Sequence, residues 1–246
     1  MRIEELADAP DLLVALDFDG TMAPIVDEPS AARSLSGFAE VLKKLAACPG
    51  ISVAVLTGRD QGGIRPMLSE FPPLWLGLSH GRDLLEPGAV SPPEAYEDPR
   101  LLELRSLELP EGVRREDKAH SCAFHWRGRA QGRPDAWLSQ LTKLVELLGL
   151  NALEGRMVIE FLLPGPGKLP TLQEIQRRTG AELVVFAGDD VTDLAAIAYA
   201  SRHGIGIHVR STERTWEVPE GVLCLAAPEA LLEWLRELFQ LRCREV

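Results

Sequence analysis

The sequence predicts an α/β fold: a parallel sheet with helices on both faces, and a smaller α+β module inserted into it. Short unbroken apolar runs recur along the chain and end in polar or turn-forming residues, the pattern of strands buried on both faces. Helical patterns fall between several of these runs, which implies a doubly wound layer. The middle of the chain has a different texture, broken by Pro92, Pro93, Pro99 and Pro110 and carrying short alternating stretches.

Taken in order, the runs at 12–16, 51–56, 74–78, 183–187 and 205–209 read as sheet strands. Phe38, Val41, Leu42 and Leu45 lie on one helical face, and Leu172, Ile175 and Gln176 share another more weakly. In the middle, residues 119–126 alternate. Residues 134–148 form a helical pattern with Trp137, Leu138, Leu141, Leu144, Val145 and Leu148. Gly165-Pro166-Gly167 is a turn leading back to the first layer. A last helix, 228–241, places Leu231, Leu232, Leu235 and Leu238 on one side. The expected division is a core made of residues 1–82 and 165–246, with residues 83–164 inserted.

A chain of 246 residues with 46% hydrophobic composition can bury a full core. Its net charge of -11 excludes a general nucleic-acid binder, which needs a basic face. A phosphate site on such a protein has to be made locally positive. Cys48, Cys122, Cys224 and Cys243 are scattered without metal-ligand spacing, so neither zinc nor a disulfide framework is expected, and a reducing cytoplasm is. Residues 1–10 are acidic and no run reaches the length of a membrane span, so a soluble, unprocessed protein is expected, by default a monomer.

The chemistry concentrates at strand ends. Asp17-Phe18-Asp19-Gly20-Thr21 follows the first run, where open α/β sheets place their ligands. One carboxylate there can attack phosphorus as a nucleophile. A second, two residues on, can protonate the leaving oxygen and then deprotonate water. An Asp pair before Gly also suits a plain turn. Gly188-Asp189-Asp190-Val191-Thr192-Asp193 follows another buried run, and its crowded carboxylates are made tolerable by a hard cation. Caps at a helix start account for part of the same pattern. Two acidic strand ends in one chain favour the metal reading: Asp17 and Asp189 as carboxylate ligands, the Asp19 main-chain carbonyl as a third and Asp190 as a further metal residue. Thr57-Gly58-Arg59 offers a hydroxyl and free N–H groups for phosphoryl oxygens, though Thr-Gly is also ordinary turn material. Lys168 can neutralise the carboxylates and phosphate, though most lysines are simply solvated. Gly77-Leu78-Ser79-His80-Gly81 matches a hydrolase nucleophile elbow, but the residues after it read as a strand where that elbow requires a helix.

In this order, the segment from Asp17 to Thr21, then Thr57, Lys168 and the segment from Gly188 to Asp193 resemble the four motifs of the haloacid dehalogenase superfamily of phosphatases. The resemblance implies a Rossmann-like core with a C2-type cap, Mg2+ as cofactor, Asp17 as nucleophile and Asp19 as general acid and base. It also implies Thr57 and Lys168 on the phosphate and Asp189 as a metal ligand, with Asp193 behind it. Within the superfamily the chain is most similar to the trehalose-6-phosphate phosphatase family. The likeness is carried by Thr57-Gly58-Arg59, Ser79-His80-Gly81, Glu116-Asp117-Lys118, His125-Trp126-Arg127, and the stretch from Gly155 through Arg156 to Glu160. That likeness implies a sugar phosphate substrate, trehalose 6-phosphate first, with Gly58, Arg59, Gly81, Glu116, Lys118, His125, Arg127 and Glu160 binding it. Related capped enzymes act on sucrose phosphate or on glycosyl and mannosyl phosphoglycerates, and a catalytically silent sugar-phosphate sensor is a further alternative. The chain departs from the family pattern at Leu169-Pro170 after the lysine, at Asp83 and at Leu194.

Overall fold

The apolar segment LLVAL forms β1 (Leu12–Leu16), and every residue of it is buried. In the computed structural model, which describes residues 1–26, 28–89, 98–155, 157–210 and 218–243, β1 lies in the middle of a seven-stranded sheet. On one side it pairs in parallel with β2 (Ile51–Leu56), followed outward by β3 (Trp75–Leu78) and the antiparallel β4 (Asp83–Leu85). On the other it pairs in parallel with β9 (Leu183–Gly188), then β10 (Gly204–Val209) and the edge strand β11 (Leu223–Leu225).

Side chains alternate across a strand, so a run buried throughout must be covered on both faces. One face of the sheet, with Leu12, Val14, Leu16, Val53 and Val55, packs on α1 (Ile3–Ala7), α2 (Phe38–Ala46) and α8 (Pro228–Arg242) through Leu6, Phe38, Leu42, Leu231 and Leu235. The other, with Leu13, Ala15, Ala54, Leu56 and Phe186, packs on α6 (Lys168–Thr179) and α7 (Leu194–His203) through Leu172, Ile175 and Ile197. A short helix, α3 (Gln61–Ile64), starts at Asp60, whose Oδ1 accepts the Gly63 N–H at 2.7 Å.

The chain divides into two units, Met1–Val90 with Pro166–Val246, and Ser91–Gly165. The expected boundary at 82/83 is therefore too early. β4 pairs with β3 in the large sheet, and Leu85 is buried in that sheet's core because its alternation continues the strand pattern. The second unit has its own antiparallel sheet, in the order β5 (Arg114–Asp117), β6 (Ser121–His125), β8 (Val158–Leu162), β7 (Asn151–Gly155). Two helices, α4 (Pro99–Arg105) and α5 (Asp135–Leu147), cover one face of this sheet with Leu101, Leu104, Leu138, Leu141 and Val145 against Phe124 and Phe161. Cys122 shares that core. Pro92, Pro93 and Arg156 lie outside the described residues. The four cysteines are free. No helix among the described residues is long and apolar enough to cross a membrane.

Phe161 is fully buried, with its ring centroid 6.0 Å from that of Phe124, which in turn meets Trp137 edge-on at 5.1 Å. Phe161→Ala is expected to destabilise the second unit by about 3–5 kcal/mol, from lost burial plus the cavity left behind. Urea unfolding followed by tryptophan fluorescence measures it.

Candidate active site

Strand register brings the acidic segments together. Leu16 is aligned with Ala187 on one side and Val55 on the other, so Asp17 leaves the sheet beside Gly188 and close to Thr57. The Asp17 N–H continues the ladder onto the Ala187 carbonyl at 2.8 Å, and the Thr57 N–H does so onto Gly77 at 2.8 Å. At β1 the strand order reverses direction, and such a reversal opens a crevice at the carboxyl ends of the strands.

Within this crevice the carboxylates of Asp17, Asp189 and Asp193 lie within 4.8 Å of one another, all buried. Lys168 Nζ donates to Asp17 Oδ1 at 2.7 Å and to Asp193 Oδ1 at 2.6 Å. Lys168 is the first residue of α6. Gly167 before it has φ 84°, a conformation that favours glycine, and its N–H donates to the His80 carbonyl at 3.0 Å. Thr21 Oγ1 is 3.5 Å from Asp17 Oδ2. Gly20, at φ +82°, leaves the space that Asp189 fills: a Cβ there would lie 2.0 Å from Asp189 Oδ2.

Burial pushes the Asp17 carboxyl well above the usual aspartate range; Lys168 opposes this, while Asp193 and Asp189 reinforce it. Burial acts on Lys168 in the opposite sense, but the charges and hydrogen bonds of Asp17 and Asp193 outweigh it and raise its pKa above the ordinary lysine value. Three carboxylates set against one ammonium leave a formal charge of -2, held on hard oxygen atoms in a buried cluster. That donor set fits a divalent hard cation.

The other expected site residues have mixed placements. Asp193, expected behind the metal, is fully buried and bridges two elements: Oδ1 faces Lys168, while Oδ2 accepts the Asp190 N–H at 3.0 Å. Asp190, expected among the metal residues, instead caps the turn at Val191–Asp193, its Oδ1 accepting the Val191 N–H at 2.6 Å, and Asp193 takes its place among the three clustered carboxylates. Sequence alone does not separate Asp190 from Asp193, because the geometry of a single turn of 3-10 helix decides which one points inward. The Asp19 carboxylate also stays out of the cluster and is held by Arg59, with Nε to Oδ2 at 2.7 Å and Nη2 to Oδ1 at 2.6 Å. Thr57 is fully buried, and its Oγ1 accepts the Arg59 N–H at 3.1 Å, leaving its own hydroxyl proton to donate. The His80 ring packs on Gly58, where a Cβ would lie 2.5 Å from it. Ser79, His80 and Gly81 all have positive φ, a strained turn that composition gives no sign of. The Ser79 hydroxyl donates to Asp83 at 3.3 Å, and β4 follows it, so the nucleophile-elbow match is accidental.

In the second unit, Glu116, Ala123 and Glu160 are aligned across β5, β6 and β8, on the face opposite the Phe124 core. Lys118 Nζ contacts Glu160 at 3.1 Å, and the Ser121 hydroxyl donates to the same carboxylate. His125 Nε2 is 3.0 Å from Glu116 Oε2. Arg127 is exposed in the turn after β6.

Residues 15–220 match the family model described as trehalose-phosphatase. The chain belongs to the trehalose-phosphatase family. It is 33% identical over 241 residues to the trehalose-phosphate phosphatase of Mycobacterium tuberculosis (strain ATCC 25618 / H37Rv), covering 92% of this chain and 60% of that protein. A longer protein of the same organism, described as an uncharacterized glycosyl hydrolase, is 32% identical over 243 residues, which cover 92% of this chain and 18% of it. This family member therefore spans less than two thirds of either relative. Among solved structures, the C-terminal domain of C. albicans trehalose-6-phosphate phosphatase superimposes with a TM-score of 0.71 at 18% identity, covering 97% of this chain and 95% of that one. The sucrose-phosphatase from Synechocystis sp. PCC6803 gives 0.59 at 15% identity, covering 94% and 98%. At those identities the likeness establishes the fold, and the family match sets the acidic cluster in a phosphatase context.

Lys168→Met would leave the buried carboxylates without their ammonium partner. Such a loss costs about 3–5 kcal/mol. Thermal melting is expected to show that loss, and added Mg2+ is expected to raise the melting temperature of the variant more than that of the wild type.

Proposed function

We propose that this protein is a Mg2+-dependent phosphomonoesterase acting on a sugar phosphate, most specifically one that converts trehalose 6-phosphate to trehalose and inorganic phosphate. The observation that carries the reading is the buried Asp17–Lys168–Asp193 bridge beside Asp189 at the reversal point of the sheet. A purely structural ion pair in such a place is poor value, because burying charges costs more than a well-packed apolar set.

Asp17 Oδ attacks phosphorus, and the ester P–O bond breaks with its electron pair on the sugar oxygen. Asp19 gives that oxygen a proton, releasing the sugar alcohol. Water then attacks the aspartyl-phosphate, its proton passing to Asp19, and the P–O bond to Asp17 breaks to release phosphate. Lys168 and the Thr57 hydroxyl hold the phosphoryl oxygens throughout and act on the charge that spreads over them at the transition state. Asp17, Asp189 and the Asp19 main-chain carbonyl would hold Mg2+, which supplies charge that offsets the phosphoryl oxygens and favours the ionised Asp17.

Specificity is assigned to the polar sheet face of the second unit, where Glu116, Lys118, His125 and Glu160 offer charge-assisted hydrogen bonds to sugar hydroxyls. Gly58, Gly81 and Arg127 complete the proposed binding set, while Arg59, expected there from the family likeness, has its guanidinium on Asp19. The free thiols of all four cysteines support a cytoplasmic setting for this chemistry.

Two experiments test the reading. Asp17→Asn is expected to lower Mg2+-dependent phosphate release from trehalose 6-phosphate by roughly 10⁴–10⁶-fold while the cooperative melt is kept. Turnover close to wild type would remove Asp17 as nucleophile. Glu116→Ala and Glu160→Ala should cut kcat/KM for trehalose 6-phosphate far more than for p-nitrophenyl phosphate, by roughly 10²-fold in relative terms. Equal losses on the two esters would assign these residues to the fold.

A further inference from the structure

We infer that Arg59 is a positioning residue for Asp19, its guanidinium fork fixing where that carboxyl group meets the oxygen that leaves the phosphorus. The inference rests on the reading of Asp19 as the acid and base of a phosphatase. The two motif aspartates are held in different ways. Asp17 is buried and gripped by Lys168, whereas the Asp19 side chain is 43% exposed. An exposed aspartate ordinarily samples several rotamers, and displacing a reacting group by about 1 Å can cost roughly 10²-fold in rate.

Arg59 supplies the missing constraint, and it is itself well anchored. Its guanidinium makes two parallel bonds to Asp19, at 2.7 and 2.6 Å, the bidentate geometry that fixes a carboxylate's plane as well as its place. Only 14% of the Arg59 side chain is exposed. Its N–H donates to Thr57 Oγ1 at 3.1 Å, and its carbonyl accepts the Ser79 N–H at 2.9 Å. The head group lies over the ring of Phe18, 5.8 Å from the centroid, and Phe18 is fully buried between the two aspartates in sequence. Arg59 is thus tied by its backbone to the end of β2 and to the strained turn at Ser79, and by its head to the segment after β1. The fork uses one lone pair on each Asp19 oxygen and leaves a second on each, where a proton shared with a leaving or attacking oxygen would sit.

The alternative role for Arg59 is direct contact with the phosphoryl group, and leaving-group chemistry separates the two. A sugar alkoxide needs a proton to depart, whereas p-nitrophenolate departs without one, and kcat/KM reports only the steps through that departure. With the 246-residue protein and Mg2+, Arg59→Gln is expected to lower kcat/KM for trehalose 6-phosphate by roughly 10²-fold more than for p-nitrophenyl phosphate, the share of rate a positioned acid supplies. Asp19→Asn should show the same bias. The double variant should be no slower than Asp19→Asn on the sugar ester, because two residues that act through one group are not additive. Equal losses on both esters, or full additivity in the double variant, would overturn the inference in favour of phosphoryl binding or a purely structural role. A wild-type protein that hydrolyses neither ester would overturn the phosphatase reading itself, a result distinct from either of those.

Discussion

The site depends on a single ammonium group shared by two buried carboxylates. From the start of α6, Lys168 reaches Asp17 after β1 and Asp193 just before α7, each at hydrogen-bond distance and each excluded from water. Without it, three acids would lie together at the ends of adjacent strands, with burial driving a proton onto Asp17. With it, one carboxylate charge is offset and the remainder suits a divalent ion, so electrostatics selects the ligand before any direct contact does. Other local features serve this arrangement. Gly20 makes room for Asp189, Gly167 turns the chain so that Lys168 opens its helix, and the Asp190–Asp193 capping pair aims Asp193 inward.

The large sheet was legible in the sequence because burial on both faces writes itself as unbroken apolar runs. β1 and β2 begin and end where the runs do, and β3, β9 and β10 differ by a residue at one end. The three-residue edge strand β11 gave no such signal, since its neighbour on one side only leaves it partly exposed. The module boundary was misread because β4 follows a turn and joins the sheet in reverse, breaking the pattern of parallel runs. Of the candidate site residues, the convergence of those carried by strand ends was readable from position alone. Those whose role depends on rotamer and turn geometry were not: Asp190 against Asp193, the Arg59 fork on Asp19, and the left-handed backbone at Ser79 and His80.

The second unit shows how little backbone is needed to change a surface's chemistry. Its sheet buries Phe124, Phe161 and Ile159 on one side, and the alternation that requires this puts Glu116, Ala123 and Glu160 in line on the other. The small Ala123 sits between two acids, and Lys118 and His125 are each paired with one of them. Such a face can be altered side chain by side chain without disturbing the core beneath it.

The central place of β1 also shapes how the polypeptide matures on the ribosome. Its partner β9 is encoded more than a hundred and sixty residues later, after the whole of the second unit. During synthesis the early strands must therefore wait as a half-sheet with β1 as an open apolar edge, while the later unit can already collapse around its own phenylalanines. The segment after β1 and Lys168 meet only when the carboxyl-terminal third emerges, so a nascent chain cut short before it lacks the acidic cluster and leaves β1 with an open edge.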